Sequence, residues 1–320
     1  MEDLRIGVIG TGHLGRHHTR LLPQVKGAEL SGIYDIDDER MSSISAEFGA
    51  RCFKTAEELL ENSDAVVIAA STSTHAKLAR KAFDAGCHVL VEKPIAESCD
   101  QGREMVQTAA DKGLTLMVGH VEHFNPAFDV ASRYLSKPLF VESHRLTIYR
   151  GRGADVSVVH DLLIHDLELL LAVMGEVRSM TASGSRILTD SPDIANVRLD
   201  FGGGRIANLT ASRISLTNMR KMRFFQEGAY VSVDFGGAVE IATLEGGGPN
   251  PPENAENFDL PGGEIIRRWN PEVPEGNALL AELQHFADSI HNNSEPRVSG
   301  KRGLAALELA DRIIEIIEGD

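Results

Sequence analysis

Leu4-Arg5-Ile6-Gly7-Val8-Ile9-Gly10-Thr11-Gly12-His13-Leu14-Gly15 runs from a short apolar strand through a glycine turn into a helix, and a second apolar run, Leu30-Ser31-Gly32-Ile33-Tyr34, ends in the acid Asp35. Gly10 permits the tight turn, Gly12 lets the backbone come close to a pyrophosphate, and Gly15 lets the helix pack closely on the strand. The free amides and positive dipole end of that helix face the phosphates, with Thr11, His13 and Leu14 completing the cofactor-facing turn. Asp35 stands twenty residues after Gly15, where a ribose-binding carboxylate belongs. Such an acid accepts hydrogen bonds from both ribose hydroxyls and repels a 2′-phosphate, and neighbouring Ile36 offers no cation. The stretch therefore predicts NAD rather than NADP. The competing reading is a glycine-rich turn in an ordinary α/β domain.

A chain of 320 residues exceeds one typical core and predicts two domains, 1–120 and 121–320. Its 42% apolar and 25% charged residues are those of a globular protein. No apolar run approaches the roughly 18 residues that cross a bilayer. Met1-Glu2-Asp3 leads at once into a strand, leaving no room for a signal peptide, so a cytoplasmic protein is expected. Cys52, Cys87 and Cys99 form no CxxC pair and read as reduced structural thiols, with no metal site. The net charge of −15 argues against a nucleic-acid partner and requires that any anionic substrate be met by a local cluster of cations.

From the first motif to about His120, apolar runs (65–70, 88–91, 114–118) alternate with helical segments (74–85, 99–112). This predicts a parallel, doubly wound sheet, whose ligands lie at the carboxyl ends of the strands. Ser71-Thr72-Ser73-Thr74-His75 follows the fourth strand in this count and Glu92-Lys93-Pro94 the fifth. Ser71, Thr72 and His75 line the cofactor or cap the next helix. Lys93 is placed for the nicotinamide, with Pro94 holding the turn rigid, or is a surface lysine in a loop.

Past His120 a helix from Asn125-Pro126 to Leu135 precedes strand-like runs at 139–149, 178–187, 194–201, 205–211, 221–226 and 230–235, which predict a large open, mainly antiparallel sheet in an α+β domain. Residues 246–263, rich in proline, have no hydrophobic period and read as a flap or an insertion. Helices at 278–291 and 304–317 close the chain.

Val158 to Leu171 reads as a buried amphipathic helix carrying His160, Asp161 and His165. Asp161 and His165, four residues apart, share a face; His160 and His165, five apart, do not. The spacing argues against a two-histidine metal site and suits an acid and a base presented together. The alternative is a polar pair bracing a core helix.

The glycine turn, Glu92-Lys93-Pro94 and Asp161-xxx-His165, in this order, resemble the Gfo/Idh/MocA oxidoreductase family along the whole chain, and Val298-Ser299-Gly300 resembles that family's ending. The resemblance implies an N-terminal Rossmann domain, a C-terminal substrate-binding and oligomerisation domain, and NAD-dependent oxidation of a sugar or polyol. Lys93, Asp161 and His165 map onto the family's catalytic group, and association through the open sheet as a homodimer or homotetramer is implied. A nearer likeness to the subgroup that oxidises carbon 3 of UDP-N-acetylglucosamine, for a 2,3-diamino sugar of lipid A, is carried by 119–126 (including His120 and Asn125), Asp193-Ile194-Ala195-Asn196, 208–213 and Arg220 to Phe225. This chain has histidines at 123 and 160, where that subgroup has arginine and an apolar residue. Lys221 and Arg223 alternate onto one strand face, and Arg145, Arg150, Arg152 and Arg213 lie on or beside other strands. Arginine forks suit a diphosphate; the same cations could equally bridge subunits or face water. An inositol or simple-sugar dehydrogenase, and a non-catalytic NAD sensor, are the competing functions.

Overall fold

The computed structural model describes residues 3–149 and 156–319. The apolar run Leu4–Ile9 forms β1, whose last four residues are buried, as expected of a strand covered on both faces. Four more parallel strands join it: β2 (Ala28–Tyr34), β3 (Ala65–Ile68), β4 (His88–Glu92) and β5 (Leu116–Gly119), in the order β2-β1-β3-β4-β5. Because the order turns back between β1 and β3, the glycine turn at the end of β1 sits at a topological switch point.

The helices among them are α1 (His13–Leu21), α2 (Asp38–Phe48), α3 (Ala56–Glu61), α4 (Thr72–Asp84) and α5 (Cys99–Lys112). Local chemistry sets their ends: the Asp37 carboxylate accepts from the Arg40 amide at the start of α2, and Gly49 closes that helix in the left-handed conformation. Ser71 follows β3 and Glu92 ends β4, one strand earlier than the sequence count, because the stretch around Cys52 makes only an isolated bridge to Ile33.

Among the described residues the second sheet has nine strands: β6 (Phe140–Leu146), β7 (Ser179–Ser185), β8 (Ile194–Gly202), β9 (Arg205–Ser212), β10 (Met219–Gln226), β11 (Ala229–Asp234), β12 (Ala238–Leu244), β13 (Glu256–Asp259) and β14 (Ile265–Trp269). Its order is β13-β14-β12-β11-β10-β6-β9-β8-β7, antiparallel except where β6 meets β9. Residues 246–263 are not simply a flap or insertion: they contain β13, which pairs with β14 at the sheet edge. All four residues of β13 are exposed, so no hydrophobic alternation marks it. The remaining helices are α6 (Pro126–Ser132), α7 (Ile164–Met174), α8 (Ala278–His291) and α9 (Gly300–Gly319). α9 starts four residues before the expected Leu304, and Gly303 packs so tightly that a Cβ there would strike Val118.

The chain divides into two compact units, Met1–Phe124 with Asn277–Leu307, and Asn125–Gly276 with Glu308–Asp320. The chain passes between them more than once, so no single boundary separates them. Among the described residues no helix is long and apolar enough to cross a membrane.

Candidate active site

The steric demands of the first turn identify what it is built to hold. Gly10 has φ +91°, and a Cβ there would lie 2.7 Å from the backbone of Ala69 and Ala70. A Cβ on Gly15 would strike the Gly10 carbonyl oxygen. Gly12 is different: a Cβ would meet nothing within 4 Å. The first two glycines serve packing, and the third faces open space at the start of α1, where no acidic residue offsets the dipole. His13 and Leu14 are exposed at that helix start.

Asp35, only 7% exposed, accepts from the Thr11 amide (2.6 Å), the Thr11 hydroxyl (2.9 Å) and the Asp37 amide (3.0 Å). Burial works to raise the carboxyl, but these hydrogen bonds, helped by Arg40, overcome it and hold Asp35 below the usual carboxylate range. A cleft of about 480 Å³ is lined by Gly10, Gly12, Asp35, Ile36, Arg40 and Ser71. Ser71 stands at the N-cap position of α4 yet its hydroxyl makes no capping bond, which leaves it available to a ligand, with Thr72 beside it. A closely approachable backbone, an ionised acid and uncompensated helix amides around one cleft fit NAD.

Sequence reasoning missed Arg40, whose guanidinium lies 3.7 Å from Asp35 and 3.0 Å from Asp37. Lys77, Lys81 and Glu57 line the same cleft beside Asp35 and Arg40. His75 takes a bracing role: its Nδ1 lies 3.0 Å from the Pro94 carbonyl and its Nε2 3.1 Å from that of Ala70, with the ring 1% exposed. It ties the turn after β3 to the turn after β4. Burial pulls its pKa down against the pull of those carbonyls.

Glu92 also differs from the expected cofactor contact. Its carboxylate turns into the core, 2.7 Å from His18 Nε2, and packs so closely on Gly119 that a Cβ there would lie 2.9 Å from it. Lys93 follows, partly exposed, joined to Pro94 by a cis peptide bond. His120, 1% exposed, lies just past the end of β5.

In the second unit, Val159–Leu163 forms a π-helical turn that runs into α7. The wider turn places Asp161 one turn ahead of His165 with an altered offset from the plain α-helical one; such turns recur at functional sites. His160 is drawn aside, its Nε2 2.7 Å from Asp311 on α9 and its Nδ1 3.3 Å from the Ser157 hydroxyl. Lys93 belongs to the first unit, Asp161 and His165 to the second. Among the described residues no cluster of three or more His, Cys, Asp or Glu is arranged to hold a metal.

Several expected ligand contacts are structural instead. Asn125 caps α6, accepting from the Ala127 amide while its own amide donates to the Phe235 carbonyl. Arg213, 3% exposed, lies 3.6 Å from Asp193 and donates to the carbonyls of Val156 and Pro192. Arg145 is equally buried, its guanidinium on Asp166 at 2.5 and 2.9 Å, while the Ser143 hydroxyl donates to the same carboxylate. Neither arginine is presented as a surface cation, because each neutralises a buried acid. Lys221 and Arg223 do share one face of β10, opposite Asp234 and Glu142 respectively. Arg150 and Arg152 lie outside the described residues.

Comparison with known proteins agrees with this geometry. Residues 4–120 match the family model for the Gfo/Idh/MocA oxidoreductases with an NAD-binding Rossmann fold, and residues 119–231 match the family's C-terminal domain. The chain is 33% identical to the UDP-N-acetylglucosamine 3-dehydrogenase of Acidithiobacillus ferrooxidans, over 96% of each protein. A solved structure of that enzyme superposes with a TM-score of 0.89 at 31% identity, covering 100% of this chain and 99% of the other. The scyllo-inositol 2-dehydrogenase (NAD(+)) of Bacillus subtilis is 27% identical, over 93% of this chain and 89% of its own. The chain therefore belongs to the Gfo/Idh/MocA family and is an oxidoreductase with an NAD-binding Rossmann unit.

Proposed function

We propose that this protein oxidises carbon 3 of UDP-N-acetylglucosamine with NAD⁺, and that Lys93, Asp161 and His165 serve that reaction. The observation that carries the reading is the likeness, over both units, to a 3-dehydrogenase of that nucleotide-sugar. Bound NAD⁺ supplies the hydride acceptor. His165 takes the hydroxyl proton as the carbon gives up its hydride, and the Lys93 amine donates a hydrogen bond to the oxygen as it becomes an alkoxide and then a ketone. Asp161 orients the two. Asp35 sets the preference for NAD, and Lys221, with Arg223 beside it on β10 and 3.4 Å from Glu142, is offered to the diphosphate.

The product, a 3-keto nucleotide-sugar, suits transamination toward a diamino sugar of the lipid A type in the cytoplasm. Phe225 and Phe258, 37% and 43% exposed on strands of the large sheet, support association of copies through that sheet. The inositol dehydrogenases among the relatives supply the second reading, in which free polyols are the substrates.

NADH production is to be screened with UDP-N-acetylglucosamine, other UDP-sugars and inositol, with an aminotransferase present to trap the ketone. UDP-N-acetylglucosamine is expected to give the highest kcat/KM; an equal or better rate with inositol overturns the assignment. His165→Ala is expected to lower kcat roughly a hundredfold, the usual share of a general base, with NAD affinity retained. An unchanged pH-rate profile removes His165 from the chemistry.

A further inference from the structure

Behind the Glu92-Lys93-Pro94 turn, the core of the first unit holds a carboxyl group that the reaction above does not use. Glu282, on α8, is 0% exposed, and neither of its oxygens has a hydrogen-bond partner among the described residues. Glu92 is near enough to act on it through space, and Glu92 is itself held 2.7 Å from His18. Two carboxyls and one imidazole thus occupy a region closed to water.

Two carboxylates sharing such a region do not both ionise, since each raises the cost of charging the other. The Glu92 carboxyl has a hydrogen-bond partner in His18, whereas Glu282 has none among the described residues. Burial first, and then the charge of Glu92, push the Glu282 carboxyl well above its usual range. Other titratable groups lie on the elements packed against α8: Glu122 and His123 on the short turn Val121–Phe124, and His13, Arg16, His17 and Arg20 on α1, with His285 and Asp288 on α8 itself. Burial, followed by Arg297, holds His285 below its usual pKa, so it supplies no counter-charge near neutrality.

We propose that Glu282 is a positioning residue for Lys93: a buried carboxylic acid without a hydrogen-bond partner among the described residues, set behind the Glu92–His18 bond that anchors the strand end from which Lys93 projects. The proposal rests on the reading of Lys93 as the residue that binds the reacting oxygen. Its consequence is a pH limit built into the core. Once Glu282 loses its proton, the buried charge it gains pushes on the Glu92 carboxyl in its tight seat against Gly119, and because Lys93 is the next residue the displacement reaches its amine.

Infrared difference spectroscopy of the wild-type protein against Glu282→Gln tests the protonation without turnover. A carboxylic-acid C=O band, shifted in heavy water, is expected near neutral pH in the wild type and absent from the variant. Glu282→Leu, a hydrocarbon of similar size, is expected to remove the same band. In the pH profile of kcat, both variants are expected to move the alkaline fall upward by about one pH unit or more, a tenfold change in proton affinity. Absence of the band overturns the protonated acid. Superimposable alkaline limbs overturn the positioning role. A protein that shows the band yet oxidises no sugar overturns the role given to Lys93 while upholding the proton on Glu282.

Discussion

Gly12→Ala separates holding a dinucleotide from holding the fold. Gly12 has φ −64°, which alanine adopts freely, and its missing Cβ points into open space, so the substitution should change stability by no more than about 0.5 kcal/mol. The same methyl fills the cradle at the start of α1 and keeps a phosphate from the helix amides. Losing one hydrogen bond to a charged group costs about 1.5–3 kcal/mol, which corresponds to NAD binding about 10- to 150-fold more weakly. Gly15→Ala is the contrasting case, because its Cβ strikes the Gly10 carbonyl oxygen. Overpacking of that kind should cost about 1–3 kcal/mol of stability as well as affinity. NAD titration by calorimetry and urea unfolding of both variants read the two quantities separately. A Gly12→Ala protein that binds NAD within twofold of the wild type would refute the placement of the pyrophosphate at this turn.

Two further perturbations probe the second unit. Arg145→Ala strands Asp166 as an unpaired buried charge and should destabilise by about 3–5 kcal/mol in urea unfolding; a loss below about 1 kcal/mol would show that the pair is solvated. Asp193 is the pH-sensitive element: burial acts to raise its carboxyl, but the amides of Leu188, Ile187 and Thr189 bring it down from 3.8 to about 2. A depressed folded-state pKa contributes stability that is complete above 3.8 and is lost as pH falls toward 2, about 2 kcal/mol in all. Asp193→Asn should flatten that part of the acid-unfolding curve, and an unchanged acid limb would assign it to other groups.

The dinucleotide turn is legible in the sequence because each of its features has a local cause. An apolar run, glycines where a side chain collides, and an acid at the end of the next strand all lie within Leu4 to Asp35. Helices such as Cys99–Lys112 and Ala278–His291 are legible for the same reason, being set by local periodicity and caps. What stays hidden depends on partners distant in the chain. The burial of Arg145 follows from the inward face of β6, which it shares with Val141 and Ser143, and from Asp166 on α7; alternation alone does not say which face is inward. His18, Glu92 and Glu282 meet from three separate segments with no shared spacing. Arg40 reaches Asp35 only because the Asp37 cap fixes the first turn of α2. The π-helical turn around Asp161 has no compositional mark, so the simple four-residue spacing argument holds only from Ile164 onward.

Isotope transfer tests the central claim most directly. UDP-N-acetylglucosamine deuterated at carbon 3 is incubated with NAD⁺ and the wild-type protein, and the reduced cofactor is examined by mass spectrometry. Deuterium in the reduced nicotinamide, transferred more slowly than hydrogen and sharply diminished in Lys93→Ala and His165→Ala, is the predicted result. Reduced cofactor that carries no deuterium, or label that transfers equally well in both variants, contradicts the account.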